Sequence, residues 1–251
     1  MSGAAGAGPW RLRRYETLDS TSDLCRTLAE QGEPEGLAVL AGRQTRGRGR
    51  GGRAWDTPAG NLALSVLLRP AGEAAAAAHW ALLAGVVFVE ALTGFLPDAS
   101  VLALKWPNDV LLRGRKLAGI LVESALRSDQ RLDWLVIGFG ANLAAAPDVP
   151  GRATASVAEI VPPPAPETVV ATLLDRLAAW CERYEREGLA PVLPAWRARA
   201  HPLGTMLTVR QGVATVEGAF AGLAEDGTLL LQTGGTVHRF PAGEILAGGE
   251  G

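Results

Sequence analysis

The chain has 251 residues, 48% apolar and 20% charged, which suits one large globular domain or a domain with a small appendage. A formal net charge of −2 gives no global attraction to nucleic acid or to an anionic membrane, so any basic function must be local. The two cysteines, Cys25 and Cys181, have no C-x-x-C spacing; they offer neither a disulfide framework nor a zinc motif and suit reduced thiols in the cytoplasm.

Residues 1–9 read as a flexible tail of small residues, without the charged start and apolar run of a signal peptide. A helix begins within Leu18-Asp19-Ser20-Thr21-Ser22-Asp23, whose hydroxyls can cap free amides, and residues 24–30 continue it. Residues 37–41 and 61–69 have strand length and apolar content. Between them lies an Arg/Gly-rich loop, residues 42–55. Residues 74–96 form a long apolar helix. It carries His79, Glu90 and Thr93, so a buried helix fits better than a membrane span.

Residues 101–105 read as a strand ending at Pro107. Residues 109–112 and 117–123 read as two strands joined by a hairpin at Arg113-Gly114-Arg115-Lys116. Residues 134–139 are strand-like. Pro162, Pro163, Pro164 and Pro166 interrupt the chain before a helix at 167–186, and 191–200 form a shorter one. From Gly204 the runs 206–210, 214–221, 228–232 and 237–240 alternate with glycine turns, which is all-β character. The expected fold class is α+β: a mixed-sheet domain over 10–200 and a small β-barrel-like domain over 201–251.

Gly42 to Trp55 holds five arginines and no acid. Like-charge repulsion and glycine entropy predict mobility of residues 46–53 without ligand. Three readings compete: a solvated basic loop, an Arg/Gly nucleic-acid binder, and an anion clamp in which arginines offer forked donors. Gly47-x-Gly49-x-x-Gly52 matches the dinucleotide fingerprint by letter, but no helix opens there. Lys105-Trp106-Pro107-Asn108-Asp109 follows a strand; it either presents Lys105 and Asn108 from a stiff turn or is a packing turn capped by Asn108 and Asp109. Gly119 weakens its strand unless something must approach the backbone closely; Gly138 and Gly140 are two more strand glycines, which a tightly packed strand end would also explain. His79, His201 and His238 share no metal-ligand spacing.

The motifs occur in a fixed order: Leu18-Asp19-Ser20-Thr21, then Gly47-Arg48-Gly49-Arg50-x-Gly52-Arg53-x-Trp55, then Lys105-Trp106-Pro107-Asn108-Asp109. Lys116-Leu117-Ala118-Gly119-Ile120-Leu121-x-Glu123 and Gly138-x-Gly140-x-Asn142 follow. This order resembles the biotin protein ligase family, nearly end to end across the family's catalytic domain, and the β segment after residue 200 resembles its C-terminal cap. The resemblance implies that biotin and magnesium-ATP give biotinyl-adenylate, which then acylates a lysine of a biotin carboxyl carrier protein or domain.

By resemblance, Ser20, Thr21, Gln44 and Gly119 contact biotin. Arg48, Gly49 and Arg50 close over carboxylate and phosphate, Arg48 and Arg50 as catalytic cations. Lys105 bridges carboxylate and phosphate as the first catalytic cation. Arg53, Trp55, Asn108, Lys116 and Asn142 serve the nucleotide, and Asp109 is a magnesium candidate. Two positions depart from the family pattern: Ser22 and Ala144 stand where asparagine is common. Only nineteen residues precede Ser20, so no helix-turn-helix, no DNA partner and no membrane are expected; monomer and weak homodimer stay open. The alternatives are a lipoate or octanoate ligase or transferase and an Arg/Gly-loop RNA-binding module.

Overall fold

The computed structural model describes residues 10–246; the expected tail at 1–9 and the last five residues lie outside them. The chain runs β1 (Arg11–Leu18), α1 (Thr21–Glu30), β2 (Leu37–Gln44), β3 (Leu62–Leu68), α2 (Ala77–Thr93), β4 (Leu102–Lys105), β5 (Asp109–Leu112), β6 (Arg115–Leu126) and β7 (Leu132–Ala141). Then come α3 (Pro166–Glu187), α4 (Val192–Arg197), β8 (Met206–Gln211), β9 (Ala214–Leu223), β10 (Leu229–Thr233), β11 (Thr236–Phe240) and β12 (Glu244–Ile245). Strands β1–β7 make one mixed sheet in the order β1-β2-β3-β7-β6-β5-β4, with β1 and β2 parallel and the other neighbours antiparallel. Strands β8–β12 make a second, antiparallel sheet in the order β11-β10-β9-β8-β12. This is the expected α+β class. Among the described residues no pairing closes the second sheet, so its barrel-like character is that of an open five-stranded sheet.

Alternation along β7 sorts the layers. Val136 packs on the α1 side with Cys25, Ala29, Leu37, Val39, Leu67 and Trp134. Ile137 and Phe139 face the opposite side, where Phe139 meets Phe88 of α2 edge-on at 5.3 Å between centroids. The same register turns Gly138 and Gly140 toward α1. Helix α2 is apolar on nearly every face and lies buried between the sheet, α3 and α4. The core runs on without a break into Leu207, Phe220, Leu229, Leu231 and Phe240 of the second sheet.

Local chemistry explains most boundaries. Ser20 caps α1, its hydroxyl accepting from Asp23 N at 3.3 Å. Pro166 opens α3, and Gly188 at φ +65° ends it. Arg113 and Gly114, at φ +49° and +77°, form a two-residue turn, so β6 starts at Arg115 and not at 117 as expected. Strands β1 and β12 were not anticipated. As a sheet edge, β1 keeps its charged residues partly solvated and lacks an apolar run. As a strand of two residues, β12 has no periodicity to read.

Candidate active site

A cavity of about 460 Å³ opens on the α1 side of the large sheet. Its floor is Gly119 of β6 with Gly138 and Gly140 of β7, Gly119 and Gly140 being directly paired. A Cβ on Gly138 would stand 2.7 Å from Ser22 Oγ, and one on Gly140 would stand 2.5 Å from the Trp55 indole. The strand glycines therefore exist because side chains from α1 and the arginine loop must lie directly on the backbone.

The N-terminus of α1 and the end of β2 build one wall. Thr21 N and Thr21 Oγ1 donate to Gln44 Oε1 at 2.9 and 3.1 Å, and Gln44 Nε2 donates to Thr57 Oγ1 at 3.1 Å. Thr21 and Ser22 both contact the hydroxyl of Ser65, a fully buried residue of β3. Strands β4 to β6 form the opposite wall, with Lys105, Asn108, Asp109 and Lys116. Asn108 Nδ2 donates to Ile120 O at 2.6 Å, which holds the turn after the cis Trp106–Pro107 bond. Lys116 Nζ donates to Asp109 Oδ1 at 2.6 Å and lies 5.5 Å from the centroid of the Trp55 ring.

The arginine loop covers the cavity. Its cations were expected to stay unbalanced, because the segment holds no acid; the fold supplies acids from elsewhere. Arg46 pairs with Asp19. Arg48 Nη2 lies 2.8 Å from both Asp23 and Glu123. Arg50 Nη1 donates to Gly243 O at 2.7 Å, and Arg53 forks onto Glu244 at 2.7 and 2.6 Å. Charge repulsion thus gives no reason for loop mobility.

Lys105 differs from these cations. It lines the cavity, and among the described residues its ammonium has no hydrogen bond or ion pair. Burial pushes its ammonium below the usual lysine range, against the pull of Asp109 across the β4–β5 pair. An unpaired, half-buried cation is costly unless an anion joins it.

Every residue expected at the site lines this one cavity except Ser20, which serves α1 as its cap. Sequence reasoning missed Ser65, Arg152 and Glu244. Three guanidinium groups converge on Glu244: Arg53, then Arg152 at 3.0 Å and Arg210 at 2.9 Å. Their hydrogen bonds, that of Arg53 above all, hold its carboxyl down at about 2. A carboxyl depressed in the fold contributes stability that is present above its unfolded value of 4.5 and is lost as pH falls through about 2. Melting temperature should therefore drop between pH 5 and pH 2 by less in Glu244→Gln than in the wild type. Melts across that range check this, and parallel profiles would show that the Glu244 clasp is not stabilising.

For magnesium the protein offers little. No cluster of three His, Cys, Asp or Glu exists among the described residues, and Asp109 is engaged by Lys116. A divalent ion that arrives with ATP brings phosphate oxygens as ligands and needs few from the protein.

Residues 15–142 match the Biotin/lipoate A/B protein ligase family. A biotin–[acetyl-CoA-carboxylase] ligase of Paracoccus denitrificans is 41% identical over 218 residues, spanning 84% of this chain and 90% of its own. The biotin protein ligase of Aquifex aeolicus, solved in complex with biotin and ATP, is 26% identical with a TM-score of 0.79, covering 93% of this chain and 97% of its own. The Leishmania major biotin protein ligase in complex with biotinyl-5-AMP is also 26% identical, with a TM-score of 0.67 over 94% of this chain and 100% of its own. The family match takes in α1, the arginine loop, the Lys105 turn and Asn142, the segments that build the cavity, and by that match the chain belongs to the biotin/lipoate A/B protein ligase family.

Proposed function

We propose that the chain is a biotin–[biotin carboxyl carrier protein] ligase. It forms biotinyl-5′-AMP from biotin and magnesium-ATP, then transfers biotin to a carrier lysine. The observation that carries this is Lys105: an unpaired, half-buried cation lining the same cavity as a polar hydroxyl-amide cluster and several arginines. Relatives with the same fold are named for biotin, ATP and biotinyl-adenylate.

In the first step a biotin carboxylate oxygen attacks the α-phosphorus of ATP. The new O–P bond forms as the bond to the bridging oxygen breaks, and pyrophosphate leaves. Two anions must meet, and Lys105 neutralises both as charge shifts to the leaving group. Arg48 and Arg50 serve the same end once their present partners, the acids Asp23 and Glu123 for Arg48 and the carbonyl of Gly243 for Arg50, give way to ligand oxygens. Trp55, Lys116, Arg53, Asn108 and Asn142 form the nucleotide end. Asn142 Oδ1 is a buried acceptor without a hydrogen bond among the described residues, and an exocyclic amine would satisfy it. In the second step the carrier amine attacks the acyl carbon, AMP departs, and the amine loses its proton. An activated anhydride needs proximity more than base catalysis.

The carrier is a biotin-dependent carboxylase protein or domain, and the free thiols Cys25 and Cys181 fit a reducing cytoplasm. A lipoate or octanoate substrate suits the site less well. Thr21, Ser22 and Gln44 make one end strongly polar, which matches a ureido ring and not an apolar tail. Incubation with biotin, magnesium-ATP and a carboxyl carrier domain should add one biotinyl group to a single carrier lysine, read by mass spectrometry. No labelling with biotin, or labelling with lipoate in its place, would overturn this function.

A further inference from the structure

The polar end of the cavity contains a chain of hydroxyls whose proton directions follow from the neighbours. Thr21 N is an obligate donor, so the atom of Gln44 that it meets at 2.9 Å must be the carbonyl oxygen. Thr21 Oγ1 lies 3.1 Å from that same oxygen and must donate to it. A hydroxyl has one proton. The 2.7 Å contact between Thr21 Oγ1 and Ser65 Oγ therefore has Ser65 as donor. Ser65 has then spent its proton, so in the 3.0 Å contact with Ser22 Oγ the donor is Ser22. The relay runs Ser22 to Ser65 to Thr21 to Gln44.

The consequence falls on the ligand. Thr21 and Ser22 line the cavity, but their protons point away from it, toward Gln44 and Ser65. Both hydroxyls face the ligand as acceptors. Gln44 Nε2 keeps one N–H beyond the one given to Thr57. Ser65 is fully buried and off the cavity wall, its neighbours in β3 are apolar, and among the described residues its hydroxyl bonds only within the relay.

We infer that Ser65 is a positioning residue: Gln44 fixes Thr21 as an acceptor, Ser65 fixes Ser22 as a second acceptor beside it, and the pair selects a ligand head group that presents paired N–H donors, a cyclic urea. The inference rests on the biotin reading and names what that site measures in its substrate. A ring with an oxygen in place of one N–H would set lone pair against lone pair, and the unmet acceptor would be costly. Without Ser65, the Ser22 hydroxyl can rotate and donate while Thr21 stays directed at Gln44, and the site loses one of its two fixed acceptors.

The test compares biotin with its cyclic carbamate analogue, in which one ureido N–H is replaced by a ring oxygen. Dissociation constants come from calorimetry on the full chain. The wild type should prefer biotin by about 100-fold, and Ser65→Ala should lower that ratio by about tenfold or more. Ser65→Cys, a weak donor in the same place, should give an intermediate ratio and decides the matter if the alanine variant does not fold. A Ser65 variant that binds both ligands more weakly with an unchanged ratio would show a merely structural serine and overturn the inference alone. A wild type that does not bind biotin would overturn the biotin reading along with it.

Discussion

Replacing Lys105 by alanine should lower biotinyl-adenylate formation by about 100- to 1000-fold, the usual cost of removing one preorganised charge-stabilising group. The other cavity cations, Arg48, Arg50, Arg53, Lys116 and Arg152, are each bonded to an acid or a carbonyl and must first leave that partner, so they replace Lys105 poorly. Folding should be spared. The Lys105 side chain makes no hydrogen bond or ion pair among the described residues, and its burial already disfavours its charge. The variant should melt cooperatively near the wild-type temperature and should still transfer biotin from preformed adenylate better than it makes adenylate. Pyrophosphate exchange beside a thermal melt checks both halves. Exchange within a few-fold of wild type, or a variant that fails to fold, would make Lys105 a structural residue.

The second large effect is expected at Gly140. An added Cβ would stand 2.5 Å from Cε2 and Nε1 of Trp55, far inside contact distance, so the indole and the loop carrying it must lift. Trp55 also makes the cation–π contact with Lys116, and both belong to the proposed nucleotide end. Gly140→Ala should raise the KM for ATP by about tenfold or more, taking overpacking at about 1–3 kcal/mol. Biotin affinity without ATP should change little, since Thr21, Ser22 and Gln44 hold the other end of the cavity. An unchanged KM for ATP would show that the nucleotide does not use the seat of Trp55.

The parts of this fold that are legible in the sequence are those whose cause is local. Ser20 caps α1 because a hydroxyl beside a helix start satisfies an amide three residues on. Gly138 and Gly140 signal a close approach because strands otherwise avoid glycine, and Ser22 and Trp55 prove to be what approaches. The missed features have long-range causes. The arginine loop has no acid of its own, yet Asp19 from the β1–α1 turn, Asp23 of α1, Glu123 of β6 and Glu244 of β12 reach it. Glu244 sits in a two-residue strand with no periodic signal. Ser65 looks like one polar residue in an apolar run until α1 is laid against β3. Likewise β1 is unreadable alone, because an edge strand need not alternate cleanly.

The central claim is that this cavity activates biotin with ATP. The most direct measurement is exchange of labelled pyrophosphate into ATP by the full chain, with biotin, with lipoate and with neither. Exchange that requires biotin, is not supported by lipoate and collapses in Lys105→Ala is the predicted result. Exchange driven by lipoate, or none with biotin, would contradict the account.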